Sequence, residues 1–137
     1  MKSWSPSLVL LIFLAAIVIG CGSSAPRSLQ TVSISPATAD AHDFTNGEVQ
    51  FTATGYYNKT PMQVTQVHAT WGACYQNQPT TDITMTATGV AQCSPSANGT
   101  YLVWAFAPDR SNGTCSAMNA CGGGCGRLTG TALLTCP

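Results

Sequence analysis

Apolar and polar residues alternate in short segments along most of the chain, and turn residues separate these segments. In residues 48–54, for example, Val49, Phe51 and Ala53 fall on one face of an extended strand, with polar residues on the other face. No segment has a convincing helical period. The pattern predicts seven strands, at residues 31–35, 48–55, 64–72, 83–85, 89–91, 100–106 and 131–135. Strands of this length and spacing favour a β-sandwich.

A 13-residue apolar run, residues 8–20, precedes this alternating part. It follows Lys2, ends in small residues and stops at Cys21. Its length is typical of a secretory signal and falls short of the roughly 20 apolar residues that a spanning helix needs. The end of the run resembles a bacterial lipobox, in which cleavage precedes a cysteine whose thiol then receives a diacylglycerol. We therefore predict a lipoprotein signal peptide over residues 1–20 and lipidation of Cys21.

Residues 21–29 are predicted to form a lipidated, flexible tether. Eight residues, 22–29, reach at most about 28 Å, so the domain is expected to stay close to its membrane. Ordinary signal cleavage after the small residues 23–25 is the alternative. It would place Pro26 first in the mature chain, which is a poor position for a signal peptidase.

The charge content narrows the classes of partner. Charged residues make up 7% of the chain, against about 25% in an average protein. After residue 20 the chain carries four cationic and five acidic residues, a net charge of −1. Neither nucleic acid nor an anionic lipid surface is favoured by so few cations, and we predict no nucleic-acid partner.

The cysteine count supports an exported protein. Seven cysteines become six when Cys21 is assigned to lipid, and an even number in an exported chain predicts disulfides, here up to three. The candidates are Cys74, Cys93, Cys115, Cys121, Cys125 and Cys136. Alternating strand directions place Cys74 and Cys93 at the same end of a sandwich. This favours a Cys74–Cys93 bond, with Cys121–Cys125 and Cys115–Cys136 as the other two.

Residues 107–129 have the most distinctive local sequence, because they put 23 residues between the last two strands, where hairpin loops usually have about 2–5. The glycines around Cys121 and Cys125 fit a loop pinned by disulfides. The spacing of Cys115, Cys121 and Cys125 also suits a soft metal, but no neighbouring histidine completes a zinc site. A Cys-x-x-Cys redox pair is absent. We expect structural disulfides, no metal and no cofactor.

The titratable residues outside this segment suggest no catalytic group. His42 lies in a polar turn with Asp40 and Asp43, and His68 falls on the strand face opposite Trp71, so both are expected to be exposed. No nucleophile stands next to a base in any recognisable motif. We predict that the protein is not an enzyme; a hydrolase with an unrecognised site remains a third hypothesis.

Residues 30–106 carry a series of short motifs in a fixed order. They are 31–37 (Thr-Val-Ser-Ile-Ser-Pro-Ala), 47–53 (Gly-Glu-Val-Gln-Phe-Thr-Ala), 64–65 with 69–71 (Val-Thr and Ala-Thr-Trp), 88–91 (Thr-Gly-Val-Ala) and 99–101 (Gly-Thr-Tyr). This part of the chain resembles a bacterial immunoglobulin-like domain of group 2. The resemblance implies an extracytoplasmic sandwich with Trp71 as the central core indole, of a kind found in adhesins and surface proteins. It implies no catalytic residues, and the 107–129 insertion departs from it.

Together these features predict one all-β domain, residues 30–137: an immunoglobulin-like β-sandwich of about seven disulfide-bonded strands, after a cleaved signal peptide. We expect a non-enzymatic envelope lipoprotein that serves in adhesion, surface interaction or envelope scaffolding. Its partners would be the membrane, through the lipid on Cys21, and an envelope protein or glycan. Gly22 stands where many inner-membrane lipoproteins carry aspartate, which favours the outer membrane or the cell surface. The alternative function is thiol or metal binding by the 107–129 insertion.

Overall fold

The computed structural model describes residues 25–108 and 113–137. Within these residues the chain forms eleven strands, one short α-helix and three 3-10 helices. The strands are β1 (Leu29–Ser35), β2 (Thr38–Asp40), β3 (Glu48–Gln50), β4 (Thr52–Tyr57), β5 (Gln63–Thr65), β6 (Thr70–Tyr75), β7 (Gln78–Pro79), β8 (Ile83–Met85), β9 (Val90–Cys93), β10 (Gly99–Phe106) and β11 (Thr129–Cys136). The helices are η1 (Ala41–Asp43), η2 (Thr45–Gly47), α1 (Ala117–Cys121) and η3 (Gly126–Leu128).

The described strands form one large and two small sheets. The large sheet has the order β2-β11-β10-β6-β7, and the small sheets have the orders β1-β4-β5 and β3-β9-β8. Only β2 and β11 are parallel among the described strand pairs. Because Phe51 alone separates β3 from β4, the chain passes directly from one small sheet to the other. The prediction of an all-β chain is confirmed.

The inner face of the five-stranded sheet packs against the small sheets. On this face Tyr101 pairs with Leu134 and Val103 with Ala132, and all four side chains are buried. A Cβ atom placed on Gly130 would lie 3.0 Å from Ile34 of β1, so a glycine here allows the two layers to approach closely. The buried apolar residues of the described chain belong to a single cluster.

The outer face of the same sheet is covered by part of the insertion. Successive residues of a strand point to opposite faces, so Leu102 and Trp104 lie on the outer face, where they pair with Cys74 and Gly72 of β6. Trp104 is only 3% exposed. Helix α1 packs against β6, β7 and β10, and Cys121 at its end is bonded to Cys74.

Two expectations about secondary structure are wrong. The third predicted strand, 64–72, is two strands, β5 and β6, because Gln66 takes a φ of +58° and the chain leaves β4 there to join β10. Helix α1 was not predicted, because five residues are too few to show a helical period. It begins where the Ser116 hydroxyl accepts a 3.3 Å hydrogen bond from the Asn119 amide.

Residues 25–28, the described part of the predicted tether before β1, lie against the domain. The Arg27 guanidinium lies 3.4 Å from the centroid of the Tyr57 ring, and its Nε donates to the Lys59 carbonyl at 3.1 Å. Ser28 and Asn58 exchange hydrogen bonds of 2.8 and 3.1 Å. Cation–π and hydrogen-bond contacts therefore hold residues 25–28 on the β4–β5 turn. The predicted signal peptide and Cys21 lie outside the described residues.

Candidate functional site

A groove of about 290 Å³ opens where the chain crosses from β5 to β6. Three segments line it: residues 50–53 of β3 and β4, residues 66–69 with Trp71, and residues 87–88 before β9. The lining residues, all in the described part of the chain, include no aspartate, glutamate, lysine or arginine. The groove is therefore a neutral cleft with an aromatic ring in its wall.

The Trp71 ring is held by its neighbours. Trp71 lies on the inner face of β6, opposite Ala105 of β10, but at the end of the strand, so it is only half-buried. Its ring packs against Gly89, where an added Cβ would lie 2.8 Å from the ring and 2.5 Å from the Phe51 carbonyl oxygen. Gly89 also has a φ of +86°, so both the space and the backbone require glycine there.

The sequence-based role of Trp71 as the central core indole is therefore wrong. Of the two described indoles, Trp71 and Trp104, the buried one is that of Trp104, and it lies on the outer face, against Gly72. An added Cβ at Gly72 would come within 2.4 Å of the Trp104 ring. The prediction failed because Trp71 stands at the rim, where the chain between β5 and β6 leaves one side of the ring open to the groove.

In the β5–β6 connection, successive side chains point alternately inward and outward, as they do in a strand. Val67 donates its amide to the Ala53 carbonyl at 3.0 Å, and Val67 and Ala69 face inward. Gln66 and His68 are exposed, which confirms the expectation for His68. The amide and imidazole groups at 66 and 68 therefore border the groove while the apolar residues form its floor.

Gln50 braces the opposite wall. Its Nε2 donates to the Phe51 carbonyl at 2.6 Å and to the Thr88 carbonyl at 2.9 Å. These bonds tie the β3–β4 junction to the turn before β9, so that wall is fixed in position. Sequence reasoning missed Gln50, Gln66 and Thr88, because a neutral polar residue in a strand or turn has no motif that marks it as part of a site.

The six candidate cysteines are all paired, which confirms disulfide bonding, but the predicted connectivity is wrong at every bond. The bonds are Cys74–Cys121, Cys93–Cys136 and Cys115–Cys125, with Cα–Cα distances of 5.6, 6.0 and 5.8 Å. Cys74 lies on the outer face of β6, beside Trp104, and so points away from Cys93. Strand direction predicts only the end of the sheet at which a cysteine lies, whereas pairing also depends on the face it points from.

The disulfides have different structural roles. Cys93–Cys136 joins the end of β9 to the end of β11 and thus links a small sheet to the large one. Cys74–Cys121 fastens α1 to the outer face, and Cys115–Cys125 closes a loop around α1. All three cysteines of the insertion are used in this way, and the described residues contain no group of three His, Cys, Asp or Glu placed to hold a metal ion.

A hydrogen-bonded tyrosine fixes the loop between β9 and β10. The Tyr101 hydroxyl donates to Asp82 Oδ2 at 3.2 Å and accepts from the Asn98 amide at 3.3 Å. Burial raises the pKa of Tyr101, and the nearby Asp82 carboxylate raises it further. The Tyr75 ring, 5.0 Å from that of Tyr101, covers this end of the inner face.

Two further findings bear on identity. Among residues 25–108 and 113–137, no helix has the length and apolar character that crossing a membrane requires. No protein-family model matches the chain, and the comparison with curated proteins returns no match.

Proposed function

We propose that this chain is a non-enzymatic envelope lipoprotein, in which an immunoglobulin-like domain anchored through Cys21 binds an envelope partner in the Trp71 groove. Its work would be adhesion, surface interaction or envelope scaffolding, at the outer membrane or cell surface. The observation that carries the proposal is the groove itself: a neutral, aromatic-walled cleft on a disulfide-bonded scaffold.

The strand order supports the immunoglobulin-like assignment. The five-stranded sheet and the small sheets correspond to strands A′-G-F-C-C′ and A-B-E-D of such a sandwich. The chain leaves one layer at Ser35 and enters the other at Thr38, as an A–A′ switch does. Strand β5 and the bond between β9 and β11 are departures from the family, since antibody domains join strands B and F instead.

The disulfides support an extracytoplasmic location, because such bonds persist in oxidising compartments. They also weaken the alternative function. That hypothesis rests on the cysteine-rich departure of residues 107–129 from the family pattern, and Cys115, Cys121 and Cys125 are each in a disulfide. We therefore keep a single functional proposal.

The lining of the groove supports a neutral, hydroxyl-rich glycan as the first partner to test. An aromatic ring offers an apolar face for a sugar ring, and the amide, imidazole and hydroxyl groups around it can exchange hydrogen bonds with sugar hydroxyls. Because no charged side chain among the described residues lines the cleft, a neutral ligand can bind there without removing water from a charged group, a step that costs free energy. A protein segment is the other class of partner.

Two experiments test the proposal. The intact mass of membrane-extracted protein, alkylated without reductant, should show a diacylated chain starting at Cys21 with no alkyl adduct. The lipidated protein should also co-sediment with isolated peptidoglycan sacculi, and Trp71→Ala should weaken this binding about tenfold, equivalent to about 1.4 kcal/mol.

A photo-crosslinker distinguishes a glycan from a protein partner. We would place it in living cells at Ala87, an exposed residue of the groove, and at the exposed Met118 of α1 as the matched control. Protein adducts specific to Ala87 and lost in Trp71→Ala would identify a protein partner. Absence of both adducts and sacculus binding would refute the groove as the binding site.

A further inference from the structure

Within residues 25–108 and 113–137 the fold separates the charged side chains by sign. We call one end of the domain the basic pole. At this end β1 begins, beside the β4–β5 turn and the start of β11. The three described cationic side chains belong to this pole: Arg27 precedes β1, Lys59 lies in the β4–β5 turn and Arg127 lies in η3, just before β11.

The acidic pole is the opposite end, at which β10 begins and β11 ends. Asp40 pairs with Thr135 at the end of β11, and Asp82 bonds to Tyr101 near the start of β10. Asp43 follows in η1, and Glu48 pairs with Gln92 next to the Cys93–Cys136 bond. All four described carboxylate side chains therefore lie at the end away from the described cations.

The length of the domain keeps the two poles electrically separate. The eight residues of β10 run from one pole to the other, a distance of roughly 25 Å. The Debye length at physiological ionic strength is about 8 Å. A surface that touches one pole is therefore screened from the charges of the other.

We propose that the basic pole rests on the anionic surface of the membrane that holds the lipid anchor, so that the domain stands in one orientation with its acidic pole outward. This inference rests on the proposed lipidation of Cys21. The chain enters the domain at the basic pole, where Lys59 donates to the Ala25 carbonyl and Arg27 stacks on Tyr57. Four residues from Cys21 to Ala25 reach at most about 14 Å, so the lipid must enter the bilayer next to this pole.

The same pole carries an exposed apolar side chain. Met62, beside Lys59 in the β4–β5 turn, is 63% exposed, the highest value among the large apolar residues that the structure describes. A thioether among cationic side chains suits the interface between head groups and acyl chains. Each Lys or Arg near an anionic surface strengthens attachment roughly fivefold, and the pole therefore adds orientation to an attachment made by lipid.

The test uses the full lipidated protein in vesicles of phosphatidylcholine with about one third phosphatidylglycerol. An unnatural fluorescent residue is placed at Thr60, on the basic pole, or at Ser96, on the acidic pole; both positions are exposed. A soluble quencher should reach the Ser96 probe several-fold better than the Thr60 probe. The difference should shrink in pure phosphatidylcholine and at high salt.

Charge variants give the matched control. Lys59→Gln with Arg127→Gln should reduce the difference between the two probes, whereas Asp43→Asn with Glu48→Gln should leave it intact. Equal quenching of both probes in anionic vesicles, with diacylated Cys21 verified by mass, would overturn the orientation and leave the lipoprotein proposal standing. A protein that lacks lipid and does not bind the vesicles would refute both.

Discussion

The two faces of the five-stranded sheet are buried by different means. The inner face meets two other sheets, and Val49, Phe51, Val103 and Leu134 are fully enclosed between them. The outer face meets the insertion, whose helix offers Ala120 and Cys121 while Met118 remains 56% exposed, and Phe44 lies beside its Leu133 edge. One face is covered by large apolar side chains and the other by a polar, glycine-rich segment.

The difference shows what a disulfide does in this fold. A helix of five residues is too short to persist by itself, and each ordered residue costs about 1–2 kcal/mol of backbone entropy. The small apolar area of α1 returns little of that cost at about 25 cal/mol per Å². The insertion is instead held by two covalent bonds, one to the sheet and one across its own loop.

The segment that covers the outer face also leaves a buried polar atom without a hydrogen-bond partner in the described part of the chain. The indole Nε1 of Trp104 is buried and has no hydrogen-bond partner among the described residues. A buried donor without an acceptor costs about 1–3 kcal/mol. The outer face is thus the less stable of the two, and the bond at Cys74 is expected to be what keeps α1 over it.

Removing one disulfide at a time should have the largest effect on the two faces of the sheet. Cys74→Ala with Cys121→Ala opens a loop of sequence separation 47, which should lower the free energy of unfolding by about 4 kcal/mol. The helix should then leave the sheet and expose Trp104. In a Trp71→Phe background, denaturation in urea measures the first effect and acrylamide quenching of Trp104 fluorescence measures the second.

The matched variant is Cys93→Ala with Cys136→Ala. Its sequence separation, 43, gives nearly the same loop entropy, so the loss of stability should be similar. Trp104 should nevertheless stay protected under native conditions, because α1 keeps its bond. Equal quenching in both variants would contradict the view that the two faces are held independently.

Substituting two adjacent leucines of β11 compares the inner and outer faces of the sheet without removing a disulfide. Leu134 is fully buried on the inner face, and Leu133, its neighbour in β11, is 44% exposed on the outer face. Leu134→Ala should cost about 3 kcal/mol through lost burial and an unfilled cavity. Leu133→Ala should change the free energy of unfolding by less than about 0.5 kcal/mol, by the same urea titration. Comparable losses would mean that the uncovered part of the outer face is buried in solution by another surface.

The inner face was predictable from the sequence, and the outer face was not. The alternation in 48–54 and the continuous apolar run in 101–106 identified the buried strands, because both patterns are visible in the sequence. Nothing in the spacing of Cys74 and Cys121 shows that a helix lies over β6. Fifteen pairings of six cysteines agree with the sequence, and only the face on which each sulfur lies distinguishes them.

The same limit applies to the candidate site and to the charges. The sequence indicates Trp71 as a core residue, but whether a tryptophan at the rim faces the core or a groove depends on the crossing between β5 and β6. Arg27, Lys59 and Arg127 are far apart in the chain, and composition alone gave no reason to expect a basic pole. The topology brings these three residues together, because the segments that carry them all lie at the same end of the sheets.

Gly72 permits a smaller test of the outer face. An alanine there would place a methyl group 2.4 Å from the Trp104 ring, which must then move. Gly72→Ala should lower the free energy of unfolding by about 2 kcal/mol and shift the Trp104 emission to the red. Gly113→Ala is the control within the insertion, since its added methyl meets no atom within 4 Å. An unchanged melting curve for Gly72→Ala would mean that the ring is loosely held.

The smallest effect concerns the inner face at the acidic pole, and it appears only in alkali. Burial raises the pKa of Tyr101 above its ordinary value of 10.0, so the folded state keeps its proton where the unfolded chain has released it. The free energy of unfolding therefore keeps the full contribution of Tyr101 below pH 10. It loses this contribution as the pH rises through the folded-state pKa. Chemical denaturation between pH 8 and 11 should show this decline, and Tyr101→Phe should flatten it. If Tyr101→Phe declines as steeply as the wild type, buried Tyr101 is not the source.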